Sequence, residues 1–347
     1  MSQTKIEIDY SFFNGKTVLV TGGAGFIGSA VVRRLQLKSS CTVAVIDKFG
    51  HGSATDSFVL HERKGDVRVH KLDLTDETGV GLVCQYLKPT VFIHLAAESH
   101  VDRSISGPRA FIESNVVGTY SILESALRTY NSLPSKEKED FRFHHVSTDE
   151  VFGSLNETGV FCETTPYAPN SPYSATKAAS DHLVRAWHKT YGLPVTITNC
   201  SNNYGPWQDA EKFVPTVIEG ILSNVPVPIY GDGSNVRDWL YVEDHVDAIL
   251  LAITKGKNGE SYCIGGGTEL TNIEMCWAVS AAVRGIGIDE SVMFTFVNDR
   301  AGHDQRYAID GSKAETELGW YPQTPLEDGL KTTVDWYARR SEHKLHL

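Results

Sequence analysis

Thr17-Val18-Leu19-Val20-Thr21-Gly22-Gly23-Ala24-Gly25-Phe26-Ile27-Gly28 is the stretch from which the rest of the chain is read. Thr17 to Val20 is an apolar, β-branched run that reads as a buried strand and breaks into a glycine-rich turn. The turn leads directly into a helical pattern, Phe26, Ile27, Ala30, Val31 and Leu35. Strand, glycine turn and helix in that order are the setting in which a glycine motif binds a dinucleotide. Gly22 permits the tight turn, Gly25 lets the backbone approach a pyrophosphate, and Gly28 lets helix pack on strand. The phosphates then sit on unpaired N–H groups at the helix N-terminus, where the dipole also favours negative charge. The spacing is G-x-x-G-x-x-G in place of G-x-G-x-x-G. A glycine-rich turn that only opens a helix is the plainer alternative.

Cys41 to Ile46 is a second short β-rich run, and it ends in Asp47. A carboxylate at the tip of the second strand, about 20 residues past the glycines, accepts both ribose hydroxyls of an adenosine. It also repels a 2′-phosphate, which favours NAD over NADP, although Lys48 beside it weakens that exclusion. A strand-end Asp that caps a turn is common, but glycines and acid together point to the cofactor.

A chain of 347 residues suits one large α/β unit, or a main domain with a smaller appendage. Its hydrophobic content of 41% and charged content of 22% are ordinary for a globular protein in water. The net charge of −11 argues against nucleic acid or an acidic membrane surface as a general partner, so cations for an anionic substrate must be local. Cys41, Cys84, Cys162, Cys200, Cys263 and Cys276 form no C-x-x-C and read as reduced thiols of a cytoplasmic protein. Met1 to Tyr10 offers no signal-peptide core, and no segment reaches about 18 uninterrupted apolar residues. No metal is expected.

A Gly/His/Ser loop, Phe49 to Ser57, precedes a third strand, Val67 to Leu72, which ends in Asp73-Leu74. Asp73 reads either as a partner of the adenine amino group or as a helix N-cap. Helix Glu77 to Tyr86 leads to a fourth strand, Thr90 to Leu95, running into Ala96-Ala97-Glu98-Ser99-His100. Small residues there suit a cofactor lying across the sheet edge. Helical periodicity over Phe111 to Tyr130, with Asn115 near its start, is followed by a surface loop, Asn131 to Asp140. Phe141 to Val146 is a fifth strand ending in Ser147-Thr148-Asp149-Glu150; turn-rich Asn156 to Pro172 precedes a helix carrying Tyr173 and Lys177. Val195 to Asn199 is a sixth strand, followed by the loop Cys200 to Gln208, after which the alternation loosens. The expected fold is α/β: a doubly wound parallel sheet of Rossmann type with a smaller C-terminal α/β lobe for substrate.

Tyr173 and Lys177 stand at i and i+4 and share one helix face. A nearby ammonium, with a positive nicotinamide, stabilises tyrosinate and lowers the phenol pKa toward the range of a general base. A surface Tyr over a Lys stem is the alternative. Thr148-Asp149-Glu150 is the sharper signal, because two adjacent acids at the end of a buried strand are costly unless used or hydrated. Removing a carbon-bound proton while expelling a hydroxyl needs one base and one acid, which two carboxylates in different environments supply. A solvated strand-end turn carries the same residues, so that alternative stays open.

These residues fall in motifs that run almost the whole length of the chain. They are TGGAGFIG (21–28), HLAAESHVDRSI (94–105), STDEVFG (147–153), YSATK (173–177), NCSNNYGP (199–206), YGDG and VRDWLYVEDH (230–245), and DRAGHDQRYAID (299–310). In order and spacing the chain resembles the extended short-chain dehydrogenase/reductase (SDR) enzymes that act on nucleotide sugars. The likeness is nearest to nucleoside-diphosphate-glucose 4,6-dehydratases of the dTDP-glucose type. The glycine motif and YxxxK are shared by the whole superfamily; the Thr-Asp-Glu triplet discriminates, since related epimerases and decarboxylases generally lack the acid pair.

The resemblance implies a hydro-lyase that dehydrates a nucleoside-diphosphate-glucose to the 4-keto-6-deoxy sugar by internal hydride transfer from C4 to C6 through NAD. By position, Tyr173 with Lys177 takes the 4-hydroxyl proton, Thr148 bonds the 4-oxygen, Glu150 removes the C5 proton and Asp149 protonates the departing C6 hydroxyl. It implies a cofactor site of Gly22, Gly25, Phe26, Ile27, Gly28, Asp47, Lys48, Asp73, Leu74, Leu95, Ala96, Ala97, Ser99, Asn115, Tyr173, Lys177 and Asn202. It implies a substrate site of Ser99, His100, Thr148, Asp149, Glu150, Asn202, Lys212, Phe213, Val214, Pro228, Tyr230, Arg237, Asn272, Arg300 and His303. Arg237 and Arg300 suit a diphosphate because guanidinium matches phosphate bidentately. The NAD domain is expected over 12–203, with 239–262 returning to it, and the nucleotide-sugar lobe over 204–238 and 263–347. A homodimer through the helices beginning near Pro108 and Ser174 also follows from the family. The segment Lys48-Phe49-Gly50-His51-Gly52, Cys263 and Ala301 depart from the usual pattern, and dTDP-glucose versus UDP-glucose stays open. A 4-epimerase or decarboxylase on the same scaffold, or a non-catalytic NAD-binding sensor, is the rival reading.

Overall fold

The computed structural model describes residues 6–53, 67–287 and 293–345. Met1 to Lys5, and the expected 49–57 loop from residue 54 on, lie outside the described residues. Strands β1 (Thr17–Thr21), β2 (Thr42–Asp47) and β3 (Val67–Lys71) lie side by side and parallel. The chain then returns to the other edge of β1 with β4 (Val91–His94), and β5 (Arg142–Thr148) and β6 (Val195–Cys200) follow outward. This reversal between β1 and β4 opens a crevice at the carboxyl ends of the strands, where open α/β sheets bind their ligands.

Alternate residues of these strands face two apolar layers. Val18, Val20, Val43 and Val45 pack against Ala30, Val31 and Leu35 of the helix Phe26–Lys38 and Val246 and Ile249 of the helix Val242–Thr254. Leu19, Ile46, Phe92, Phe143 and Ile197 pack against helices Glu77–Leu87, Gly118–Ser132 and Pro172–Tyr191. Burial on both faces removes the polar alternation of a surface strand, and each such side chain contributes roughly 1.5–3 kcal/mol.

Beyond the six strands expected from sequence, β7 (Asn202–Tyr204), β8 (Val227–Tyr230), β9 (Val236–Tyr241) and β10 (Ser261–Ile264) follow. The four-residue β10 lies past the point where the strand-helix alternation loosens, yet it pairs with β6 as a seventh parallel strand of the main sheet. Strand β9 pairs with β7 and with β11 (Glu269–Thr271), and β12 (Phe294–Val297) pairs with β8. Helices Phe213–Leu222, Asn272–Gly285 and Leu326–Leu345 gather over these small sheets around Val214, Ile218, Met275, Val279 and Leu330. Ala314, Leu318 and Trp320 instead pack with Tyr262 of β10 and Leu251, on the main-sheet side.

Two local differences from the sequence reading matter. The expected helix Phe111 to Tyr130 is interrupted by one π-turn, Ile112–Val117, before it resumes as Gly118–Ser132. The widened turn leaves the Asn115 carbonyl able to accept from Ser180 Oγ at 2.6 Å. The expected loop Asn131 to Asp140 contains a helical turn, Ser135–Glu139.

The helix that carries Tyr173 is delimited by its sequence. Ser171 and Ser174 form a capping box, Pro172 occupies the first turn, and Gly192 ends the helix in the left-handed region at φ 72°. Ser171→Ala removes the cap and is expected to lower stability by about 1 kcal/mol, read as a reduced urea midpoint with unchanged slope.

Candidate active site

The crevice is lined by the glycine turn, the tip of β2, residues 95–100 after β4, residues 146–150 at the end of β5, Tyr173, Lys177, and the segments 200–203 and 208–212. At its floor Gly22 takes φ +70°, and a Cβ there would lie 2.6 Å from the Ala96 nitrogen. A Cβ at Gly28 would lie 2.1 Å from the Gly22 carbonyl oxygen. Gly25 is the N-cap of the following helix and has no side chain to cap it, so the first-turn N–H groups stay open to an anion. Asp47 is buried, and its Oδ2 accepts from the Ala24 N–H at 2.9 Å while Oδ1 accepts from the Phe49 N–H at 2.8 Å. It therefore staples the glycine turn to β2 and still has lone pairs for a diol. Lys48, also on the crevice lining, pairs with Glu98 at 2.5 Å.

Phe26, Ile27, Asp73, Leu74, Leu95, Ala96, Ala97, Ser99 and Asn202 also line the crevice. The alternative for Asp73 falls: Asp76 is the cap of the helix Glu77–Leu87, and Asp73 instead accepts from the N–H and hydroxyl of Thr75. Asn115 lies behind the wall, where its amide pairs with both the N–H and the carbonyl of Glu98 and donates to Thr176. Together the glycine cradle, the open helix terminus and Asp47 fit a dinucleotide.

Thr148, Asp149, Glu150, Tyr173 and Lys177 meet in the same crevice. Thr148 ends β5, and its hydroxyl caps the short turn Asp149–Phe152 by accepting from the Glu150 N–H. Asp149 is 1% exposed, and its Oδ2 has no hydrogen-bond partner. Burial pushes its carboxyl well above the usual range, and the Glu150 and Asp238 carboxylates add to that. Glu150 is raised as well, by burial, but Arg300, Arg237 and Lys212 pull it back toward ionisation. The two acids thus differ in what surrounds them: carboxylates outweigh Arg237 around Asp149, and three cations outweigh Asp304 around Glu150.

In the chain alone, without a nicotinamide, Tyr173 is not lowered. Burial, and then the nearby Glu150 carboxylate, push its phenol well above the ordinary value. Lys177 does not offset this, because its Nζ donates to the Val146 carbonyl at 2.9 Å and approaches His145 Nε2 at 3.5 Å. Sharing a helix face brought the two residues to one site without pairing their polar ends.

The remaining expected substrate residues form the far wall. Lys212 donates to the Ser99 carbonyl at 2.7 Å and closes the crevice from that side. Arg237 is 5% exposed, bonds the carbonyls of Val236 and Asp304, and lies 4.3 Å over the Tyr307 ring. Arg300 approaches Asp102 at 3.8 Å and keeps a buried Nε without a partner. Tyr230 also reaches Asp102, and His303 bonds Asp299 and meets the Tyr230 ring edge-on. Pro228 and Tyr230 are on the exposed face of β8; Asn272 opens its helix, its N–H bonded to the Asn235 carbonyl. Phe213 stacks on Trp239, but Val214 is fully buried in the lobe core and presents no side chain to the crevice.

Other residues at the site carried no local signal. His51, from the atypical 48–52 segment, bonds Glu211 at 2.8 Å across the mouth of the crevice, and Glu211 also takes Arg103 and His100. His51, Asp209 and Glu211 offer ligand atoms within 4.8 Å of one another, but Glu211 already pairs with Arg103 and contacts His51. Partners this far apart in sequence leave no spacing to read.

A family model described as GDP-mannose 4,6 dehydratase matches residues 19–333. The dTDP-glucose 4,6-dehydratase of Salmonella typhimurium is 47% identical over 342 residues, covering 94% of this chain and 93% of that protein. The crystal structure of a dTDP-glucose 4,6-dehydratase from Streptomyces venezuelae with NAD bound is similar, with TM-score 0.85 and 41% identity over 94% of this chain and 98% of that one. A UDP-glucose 4-epimerase from Thermus thermophilus, also with NAD, has TM-score 0.83 at 30% identity, covering 93% and 99%.

Two outcomes test the geometry. Gly28→Ala forces the glycine turn open, and the purified variant is expected to lose its bound dinucleotide, read by absorbance after denaturation. Asp149 is expected to remain protonated at neutral pH, giving a carboxylic-acid infrared band in the wild type that Asp149→Asn abolishes.

Proposed function

We infer the reaction from the premise that this chain belongs to the dTDP-glucose 4,6-dehydratase branch of the extended SDR family. It is an NAD-dependent hydro-lyase that converts a nucleoside-diphosphate-glucose, dTDP-glucose foremost, to the 4-keto-6-deoxy sugar. The observation that carries this reading is the pair Asp149 and Glu150, adjacent in sequence, buried beside Tyr173 in one crevice and unequally balanced by neighbouring charges. A 4-epimerase has the same fold, so architecture does not separate the two activities, but an epimerase has no use for a neutral acid beside a base.

The roles proposed for the residues follow from those surroundings. The glycine turn, Asp47 and the strand ends hold NAD, which when bound supplies the hydride acceptor and donor and a positive charge. Tyr173 takes the 4-hydroxyl proton; its phenol is held high by burial and by carboxylates, so the added positive charge is what brings it down. Once C4 is a ketone the C5 proton is acidic, and Glu150, kept toward its ionised form by Arg300, Arg237 and Lys212, removes it. Asp149 enters protonated and gives its proton to the C6 hydroxyl, which leaves as water. Thr148 bonds the 4-oxygen, and Lys177 and Asn115 hold the array. Arg237, held by main-chain carbonyls, and Arg300, with an unused buried Nε, suit the diphosphate.

The residue assignments extend to the lobes, with NAD on 12–203 and 239–262 and nucleotide sugar on 204–238 and 263–347. A homodimer is proposed through the helices near Pro108 and Pro172, supported by exposed Ile112, Val117 and Tyr120. No helix among the described residues is long and apolar enough to cross a membrane, and six free thiols support a cytoplasmic setting.

Turnover of dTDP-glucose in deuterated water is expected to release water and leave a single deuterium at C5, with no consumption of added NAD. UDP-glucose, run in parallel, is expected to react more slowly. Asp149→Asn and Glu150→Gln should each lower kcat by about 10²–10⁴-fold with KM little changed. Recovery of a galactose epimer without loss of water would overturn the reading.

A further inference from the structure

Asp181 stands one helical turn beyond Lys177, on the helix face that also carries Tyr173. Its side chain is completely buried, and no step proposed above uses it. Four neutral donors converge on it. Oδ1 accepts from His145 Nε2 at 3.1 Å, while Oδ2 accepts from Tyr167 Oη at 2.7 Å, Ser147 Oγ at 2.9 Å and Asn199 Nδ2 at 3.2 Å. The other ring nitrogen of His145, Nδ1, is buried and has no partner, which assigns the ring proton to Nε2. Two of the four donors belong to the end of β5: Ser147 directly precedes Thr148, and Asn199 also donates to the Thr148 carbonyl at 3.2 Å.

A buried ionised carboxylate is costly unless a cation answers it. Lys177, whose Nζ lies 3.5 Å from the same His145 nitrogen, is equally buried and in the converse position. Burial works against its charge, and the two groups that favour the charge are Asp181 and Cys200. Burial pushes the Cys200 thiol up to about 12, which leaves Asp181 as the ionised one.

We propose that Asp181 is a positioning residue for the reaction: its carboxylate, clamped by His145, Ser147, Tyr167 and Asn199, is the buried counter-charge that keeps the Lys177 ammonium charged and fixes the strand end bearing Thr148. The inference rests on the assignment of Lys177 to the catalytic array made above. It concerns what holds that array, not which sugar it acts on.

A pH profile separates this role from a merely structural one. The groups that act on Lys177 are His94 from β4, His145 from β5, Cys200 from β6 and Asp181 of its own helix, while Tyr167 and Arg185 bear on it through Asp181. Burial holds His94 well below its ordinary value and His145 at about 4, and it raises the Cys200 thiol and the Tyr167 phenol. None of these four changes charge across the neutral and mildly alkaline range, and Asp149 and Tyr173 are present in every variant, so the difference in alkaline limb between Asp181→Asn and Tyr167→Phe reports Lys177.

The full chain with its bound NAD is assayed with dTDP-glucose across pH as wild type, Asp181→Asn and Tyr167→Phe. Asp181→Asn is expected to keep its NAD and to hold KM within about twofold, while the alkaline limb of kcat moves down by about one unit or more. Tyr167→Phe retains the carboxylate, and its limb should stay in place. A loss of kcat by the same factor at every pH, or an unmoved limb in Asp181→Asn, overturns the proposal.

Lys177→Met supplies a second readout that needs neither turnover nor a folded Asp181→Asn. Asp181 is held at about 2, below its unfolded value, so its stabilising effect is full above about 4 and lost as pH falls through the folded value. Removing the lysine charge lets that folded value rise, and the acid-unfolding midpoint should move to higher pH. An unmoved midpoint overturns the proposal. Absence of wild-type turnover with a shifted Lys177→Met midpoint would defeat the dehydratase reading and leave the charge pair standing.

Discussion

The main chain after β1 lies so close to the main chain after β4 that nothing larger than a hydrogen fits at Gly22, where a Cβ would come within 2.6 Å of the Ala96 nitrogen. That approach occurs at the point where the order of the sheet reverses, and it shapes the floor of the crevice. Gly28 meets the same constraint from the helix side, against the Gly22 carbonyl. Asp47 then holds the turn in place by accepting the Ala24 N–H, so the acid that suits a ribose is also part of the scaffold that receives it. The helix terminus, the end of β5 and the Tyr173 helix are all placed relative to this floor.

Chemistry in the crevice depends on unequal surroundings for like groups. Asp149 and Glu150 are consecutive, but the short turn that begins at Thr148 sends one among anions and the other toward Arg237, Arg300 and Lys212. Unequal surroundings of this kind are what the proposed division into acid and base requires. The cations do double duty in this arrangement, since the charges that favour ionised Glu150 also make the far wall attractive to a diphosphate. An overall charge of −11 leaves this local positive wall as the feature an anionic sugar nucleotide meets.

Behind the crevice, the helix from Pro172 spaces Tyr173, Lys177 and Asp181 at intervals of four, and each faces a different environment. Tyr173 reaches the crevice, Lys177 reaches the Val146 carbonyl, and Asp181 is closed off among four donors. The π-turn on the neighbouring helix serves the same region, because it frees the Asn115 carbonyl for Ser180 while the Asn115 side chain grips Glu98.

Much of this was legible in the residues themselves. The glycine turn, the acid ending β2, the small residues after β4 and the YxxxK pair follow from local stereochemistry, whose signals lie within a few residues of one another. Five of the six expected strands were readable because burial on both faces leaves largely apolar runs, whereas β3 alternates exposed Arg68 and Lys71 with half-buried valines. The motifs spread along the chain also carried the family, and with it the acid pair as the discriminating feature. Tertiary structure alone decided what depends on partners distant in sequence: the pairing of four-residue β10 with β6, the His51–Glu211 bridge and the burial of Val214. It also decided what surrounds Asp149, Glu150 and Tyr173, and that the Lys177 ammonium donates to the Val146 carbonyl of β5. A titrating group answers to the charges and solvent around it in space, and neighbours along the chain are only some of those.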